Sequence, residues 1–331
     1  MEQEYPGPVQ DGPTEHVEHV EAVEHVEHAD GTERPVPVPI SDDDAAPYAP
    51  ASHHEGGCGC GCGCGDGQGA AREAAAPHYV YALGQIDFRL PSLSVEKEIA
   101  QTVGRSRSGG LTDREAVVRA VTQPENRYIA RQLCYVLSVQ GIETYLLRPR
   151  DSGDFALLVD ALRPEPGDAD LDLVIGLRGP LAPPDLCNGL TLPVVGFDQI
   201  YSFDSRELIA SIDRPESLPA DRFEPASQEL LRRVIQIGDN AGDSDEHRAL
   251  NYLAVRYPRI YEKAVEEFAD ESSLSAVEFR DSRLSGARRI VDVLFSYTSR
   301  RTDVTEKFFV RVDVTGQFPF LVNRLSAYYD R

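Results

Sequence analysis

The chain is short of positive charge: 33 Lys plus Arg stand against 55 Asp plus Glu, for a formal net charge of −22 over 331 residues. This deficit excludes an electrostatic grip on phosphate backbones or anionic lipid, both of which attract cations, so neither nucleic acid nor a membrane surface is an expected partner. Apolar runs of the roughly 18 residues that a spanning helix needs are missing, and so is a basic N-terminal start followed by an apolar stretch. The expectation is a cytoplasmic protein. Also missing are a Gly-x-x-x-x-Gly-Lys-Ser/Thr loop, a Gly-x-Gly-x-x-Gly between a strand and a helix, and a Gly-x-Ser-x-Gly elbow, which removes local support for nucleotide or hydrolase chemistry. Histidine is scarce where a fold would need it. Seven of the eight (His16, His19, His25, His28, His53, His54 and His78) lie before or at residue 78, leaving His247 inside the body. A Ser-His-Asp or Cys-His hydrolase would have only that imidazole as its base.

Two different polypeptides meet near residue 77. Residues 1–77 contain 16 acidic side chains and only Arg34 and Arg72 as basic ones, a net −14 that leaves −8 for the rest. Large apolar residues are diluted there by proline, glycine and like charge, so burial cannot offset an ordering entropy of about 1–2 kcal/mol per residue. A disordered acidic tail is expected over 1–77 and a globular domain over 78–331. Within the tail stand a Glu-His-Val triplet run over 15–28, a Pro-rich stretch over 35–39 and a glycine-cysteine alternation over 56–65. A three-residue period drifts by about 60° per repeat on a helix, so the histidines of the triplet run do not share a face.

In the body, the aromatic and branched run 79–86 predicts a strand, and 94–103 and 112–121 predict helices started by Ser or Thr caps. Helical spacing of Ile129, Leu133, Val136 and Leu137 predicts a helix over 126–139. Short apolar runs at 143–147, 171–177 and 193–197 predict buried strands, with a helix over 155–162 between the first two; that order implies a partly parallel sheet. Helices are expected over 225–237, 244–256 and 259–269. Alternation in 276–280, 289–297 and 307–313 then predicts an antiparallel meander with one wet face. The expected class is α+β, layered helices and sheet with partly parallel central strands.

Thiols and imidazoles carry the remaining chemistry. Cys134 stands in an apolar helical stretch and reads as a small buried hydrophobe, while Cys187 stands in a Pro-rich loop. A reducing cytoplasm disfavours disulfides, although the two can touch in the fold. His247 falls in the first turn of a helix that Asp243 or Ser244 can cap. Together, Cys134, Cys187 and His247 would supply three of zinc's four ligands, though no CxxC or HxxxH spacing demands it. In the tail, Cys58, Cys60, Cys62 and Cys64 alternate with glycine near His53 and His54, a composition able to wrap Cu(I) or zinc. The same cysteines also read as the core of a modified peptide, since a cyclodehydratase converts glycine-flanked cysteines to thiazolines, or as a plain linker; all three readings stay open. Glu96, Lys97 and Glu98 read as a solvated first turn, Arg127 and Arg131 as partners of acidic neighbours or receivers of a peptide carboxylate, and Asp198 and Asp204 as a turn and a helix cap.

Seven stretches together resemble a known domain: Tyr79-Val-Tyr-Ala-Leu-Gly, Pro91-Ser-Leu-Ser-Val-Glu-Lys-Glu-Ile-Ala-Gln, Glu125-Asn-Arg-Tyr-Ile-Ala-Arg-Gln-Leu-Cys, Gly176-Leu-Arg-Gly-Pro-Leu-Ala-Pro-Pro-Asp-Leu-Cys-Asn-Gly, Phe197-Asp-Gln-Ile-Tyr-Ser-Phe, Asp239-Asn-Ala-Gly-Asp-Ser-Asp-Glu-His-Arg-Ala-Leu-Asn-Tyr-Leu-Ala-Val-Arg-Tyr-Pro and Thr302-Asp-Val-Thr-Glu-Lys-Phe-Phe-Val-Arg-Val-Asp-Val-Thr. They are similar to the C-terminal domain of the cyanobactin maturation proteases PatG and PatA, over essentially residues 79–331. In that family the domain follows a subtilisin-like protease domain that cuts or macrocyclises ribosomal peptides; an acidic tail is expected in its place here, so protease activity is not carried over. The resemblance implies a domain of unsettled function with which zinc is associated, and Cys134, Cys187 and His247 fall in matching segments.

The expected function is a non-catalytic accessory or interaction module of a cyanobactin-like ribosomal-peptide pathway, stabilised by zinc. Its partners would be peptide-modifying enzymes or the precursor peptide, and a homodimer is allowed. Three alternatives are a zinc-dependent enzyme of unknown substrate, a metal-capture protein that uses the tail, and a fused precursor whose core is the Cys-Gly tract.

Overall fold

A computed structural model describes residues 37–42, 78–105, 112–212, 214 and 220–329. Its first strand, β1 (Tyr79–Arg89), shows why the opening run is apolar at nearly every position: Val80, Ala82 and Ile86 feed one buried cluster, and Tyr81 and Leu83 feed another. A strand buried on both faces has no polar side to alternate with.

Helices α1 (Leu93–Arg105) and α2 (Asp113–Val121) follow. Thr112 caps α2 in a reciprocal box: its hydroxyl accepts the Glu115 amide, and the Glu115 carboxylate accepts the amide of Thr112. The helix expected over 126–139 is not there. Its first residues form a 3₁₀ turn (Pro124–Asn126) and the single turn α3 (Arg127–Ala130), and the chain then extends as β2 (Cys134–Val139). The same apolar residues satisfy both periods, and the two-sided burial of Cys-Tyr-Val-Leu-Ser-Val decides for a strand. Gln140 and Gly141, both at positive φ, turn β2 tightly into β3 (Ile142–Pro149), as a two-residue hairpin requires.

After α4 (Phe155–Ala161) come two long strands, β4 (Asp170–Leu181) and β5 (Pro193–Asp204). The five strands close into a barrel in the order β1-β2-β3-β5-β4, shut by antiparallel pairing of β1 with β4; only β3 and β5 run parallel. Gly176 permits the closest approach of β4 to β5, since a Cβ there would lie 2.3 Å from the Gly196 carbonyl oxygen.

Four helices lead out of the barrel: α5 (Ser205–Ala210), capped by Asp204, α6 (Ala220–Ile235), α7 (Asp245–Arg256) and α8 (Arg259–Ala269). A second sheet completes the described residues, with β6 (Ser272–Asp281), β7 (Ile290–Ser299) and β8 (Thr305–Asp313) as the expected antiparallel meander and the short β9 (Phe320–Leu321) and β10 (Ser326–Ala327) both paired with β8. The wet face expected for the meander is absent from its central strand: Ile290, Val291, Val293, Leu294, Phe295 and Tyr297 are all buried. One large apolar cluster joins Tyr81, Leu83 and Leu173 of the barrel to α5 through α8 and to β7 and β8.

Candidate functional site

The residues singled out as metal ligands fall into two places. Cys134 opens β2 and Cys187 lies in the loop between β4 and β5; they form a disulfide, with Cα atoms 6.1 Å apart, among Val136, Leu146 and Ala182. The expectation against a disulfide is thus corrected: pairing of β2 with β3 and the return of the β4–β5 loop bring the two sulfurs together. Cys134 registers with Arg89 at the far end of β1. His247 sits elsewhere, in the first turn of α7, whose Asn251 donates 2.9 Å to the Tyr81 carbonyl near the start of β1. Among the described residues no three His, Cys, Asp or Glu side chains gather to hold a metal ion. Cys134, Cys187 and His247 therefore do not fit zinc as one ligand set. Cys58, Cys60, Cys62, Cys64, His53 and His54 lie outside the described residues.

Around His247 the structure builds a polar corner. Its amide donates to the capping Ser244 hydroxyl at 3.1 Å, and its Nδ1 is buried without a hydrogen-bond partner among the described residues. Burial lowers its pKa, against the opposing pull of Glu246, Asp243 and Asp239. Nearby, burial and then Asp243 push the Tyr145 hydroxyl up, and Asp243 itself faces Arg178 at 3.6 Å.

Gly242 shapes this corner. Its φ is +72°, its carbonyl accepts the Tyr81 amide at 2.8 Å, and a Cβ there would lie 2.5 Å from the Tyr81 oxygen.

Two hollows lie elsewhere among the described residues. The first, of about 430 Å³, lies between α6, α8 and the second sheet. Ala226 and Leu230 of α6, Ala264 of α8, Leu274 of β6 and Tyr297 of β7 give it a buried or half-buried apolar floor, and Pro225, Phe268, Asp221, Arg222, Glu229, Arg233 and Arg300 rim it. Phe268 is 43% exposed and Arg300 stacks on its ring at 5.2 Å, forming one lip. The second, of about 330 Å³, lies at the end of β3, where Arg131, Arg148 and Arg150 surround Leu133, Leu147 and Phe155. Arg131 stacks on Phe155 at 4.7 Å, and Arg150 donates to both oxygens of Asp198 at 2.9 Å. Asp198 thus lies inside β5 and shapes no turn, while Asp204 is the expected cap. Glu96 lies exposed in the first turn of α1, as expected.

Sequence reasoning missed a fully buried polar cluster. Asp172, fully buried in β4, accepts from both Arg163 (3.0 Å to each oxygen), from the Ser202 hydroxyl (2.6 Å) and from the Ile86 amide (2.7 Å). The available signal was an acid placed between Leu171 and Leu173 in an otherwise apolar run.

A barrel with one parallel pair, packed through helices on an antiparallel sheet, defines the class: a mixed α+β domain. Residues 218–328, about a third of the chain, match the family model described as PatG C-terminal, so this segment is similar to that domain. A solved structure described as "PatG Domain of Unknown Function" shares the fold with a TM-score of 0.61 at 20% identity, covering 76% of this chain and 99% of that one. No curated protein matches. Every residue lining the α6–α8 groove lies within the matched segment.

Proposed function

We propose that the chain is a non-catalytic interaction module of a cyanobactin-like ribosomal-peptide pathway, and that the groove between α6, α8 and the second sheet receives the linear precursor peptide. The observation that carries this reading is the groove itself: an apolar floor inside the segment matched by the family, with charged side chains confined to the rim. That division is the one peptide grooves use, the floor supplying affinity and the rim orientation. The pathway assignment leans on the likeness to PatG.

A titration tests it. Fluorescently labelled precursor peptide of a cyanobactin-type pathway, added to the full-length chain, is expected to bind saturably and to lose affinity about tenfold with Phe268→Glu, as for a truncated anchor of an interface. Because Phe268 is 43% exposed, the melting temperature should change little. Equal affinity for the variant, with wild-type binding intact, moves the peptide site off this groove; no binding to either chain removes the proposal.

A further inference from the structure

The stretch expected to belong to a tail makes specific contacts with the body. Ile40 donates its amide to the Arg256 carbonyl at 2.6 Å and packs its side chain on the large apolar cluster. Two residues on, the Asp42 carboxylate accepts a hydrogen bond from the Tyr257 hydroxyl, and the Asp42 carbonyl accepts from Arg324 Nε at 3.1 Å. The Tyr257 hydroxyl is itself fixed, since it accepts the Leu325 amide at 3.0 Å.

We propose that the C-terminal end of α7, together with Tyr257 and the 324–325 segment, is a docking site for an extended peptide that carries a branched apolar residue two positions before an aspartate, and that residues 37–42 of this chain occupy it in cis. The chemistry of both sides agrees. The last carbonyls of a helix lack intrahelical partners; here the Tyr261 hydroxyl serves Ala254 and the Ile40 amide serves Arg256. On the ligand side Pro37 and Pro39 each have φ locked at about −65°, a restriction that reduces the ordering entropy docking costs. Pro37 is buried while Val38 is 69% exposed, the alternation of an extended chain lying on a surface.

On the body side His78 is also fixed, since its carbonyl accepts the Arg178 amide at 2.8 Å. The inference is independent of the α6–α8 groove.

Hydrogen exchange on the full-length chain tests it. The Ile40 amide is expected to be protected in the wild type, and Asp42→Ala or Ile40→Asp should abolish that protection without moving the melting temperature of the body. A synthetic peptide of residues 35–45 should then bind the Ile40→Asp chain, about tenfold more weakly once its own aspartate is replaced by alanine, as expected for losing a charge-assisted hydrogen bond. An unprotected Ile40 amide in the wild type, protection unchanged by Asp42→Ala, or a peptide that fails to bind the opened chain would each overturn the proposal.

Discussion

The buried Asp172 shows how much one side chain can decide. Burial pushes its carboxyl up, opposed by Arg163, Ser202 and the Ile86 amide. Replacing Arg163 by Ala strands that carboxylate, so Arg163→Ala is expected to cost about 3–5 kcal/mol in a urea unfolding experiment. His247 acts on pH in a defined direction. Its folded pKa lies below the ordinary value, so the unfolded chain takes up the proton first as the pH falls. Its contribution therefore diminishes as pH drops from about 6.5 toward the folded pKa and is fully present above that window. Melting temperatures between pH 7.5 and 5 should fall less steeply in His247→Gln than in the wild type; parallel slopes would remove the assignment. At this scale the sequence was partly legible. The capping Ser244 and the body cysteines stood out, but no local pattern says which cysteine meets which partner, because Cys134 and Cys187 are 53 residues apart.

Elements obey the same physics with longer reach. Helix α8 begins and ends where its proline boundary and apolar spacing place it, and the meander pairs in order, because these signals are local. The misread stretch 126–139 fails for a local reason as well: an apolar run buried on both faces has neither period to itself. Closure of β1 on β4 and the parallel pairing of β3 with β5 had no signature in short runs, since each depends on chain that returns from far away. The junction of β1 with α7 is where backbone geometry matters most. Gly242→Ala would combine a positive φ with a Cβ driven into the Tyr81 backbone, and a loss of about 2–4 kcal/mol is expected in thermal or urea unfolding. Arg248, fully buried at the start of α7, holds the chain after β8 through the Val314 carbonyl at 2.8 Å and through that of Gly316. Arg248→Ala should therefore raise amide exchange over 314–317 before it affects the barrel.

For the whole molecule, a net charge of −22 disfavours polyanions, and the proposed occupant of the groove is a peptide. No described helix is long and apolar enough to cross a membrane. The groove was illegible in sequence because its floor comes from α6, α8, β6 and β7, elements that only the fold brings together. Metal capture by the glycine-cysteine tract is a separate expectation with its own test. Replacing Cys58, Cys60, Cys62 and Cys64 by Ser in the full-length chain should abolish most Cu(I) or zinc uptake, whereas Cys134→Ser should leave it nearly unchanged; retained uptake in the quadruple variant would exclude the tract.

A photoreactive phenylalanine analogue placed at position 268 of the full-length chain, with the same analogue at the exposed position 142 as a control, maps the peptide most directly. After irradiation with precursor peptide, cross-links are expected at 268 and not at 142. Equal labelling of the two positions, or labelling at 142 alone, would contradict the groove as the binding surface.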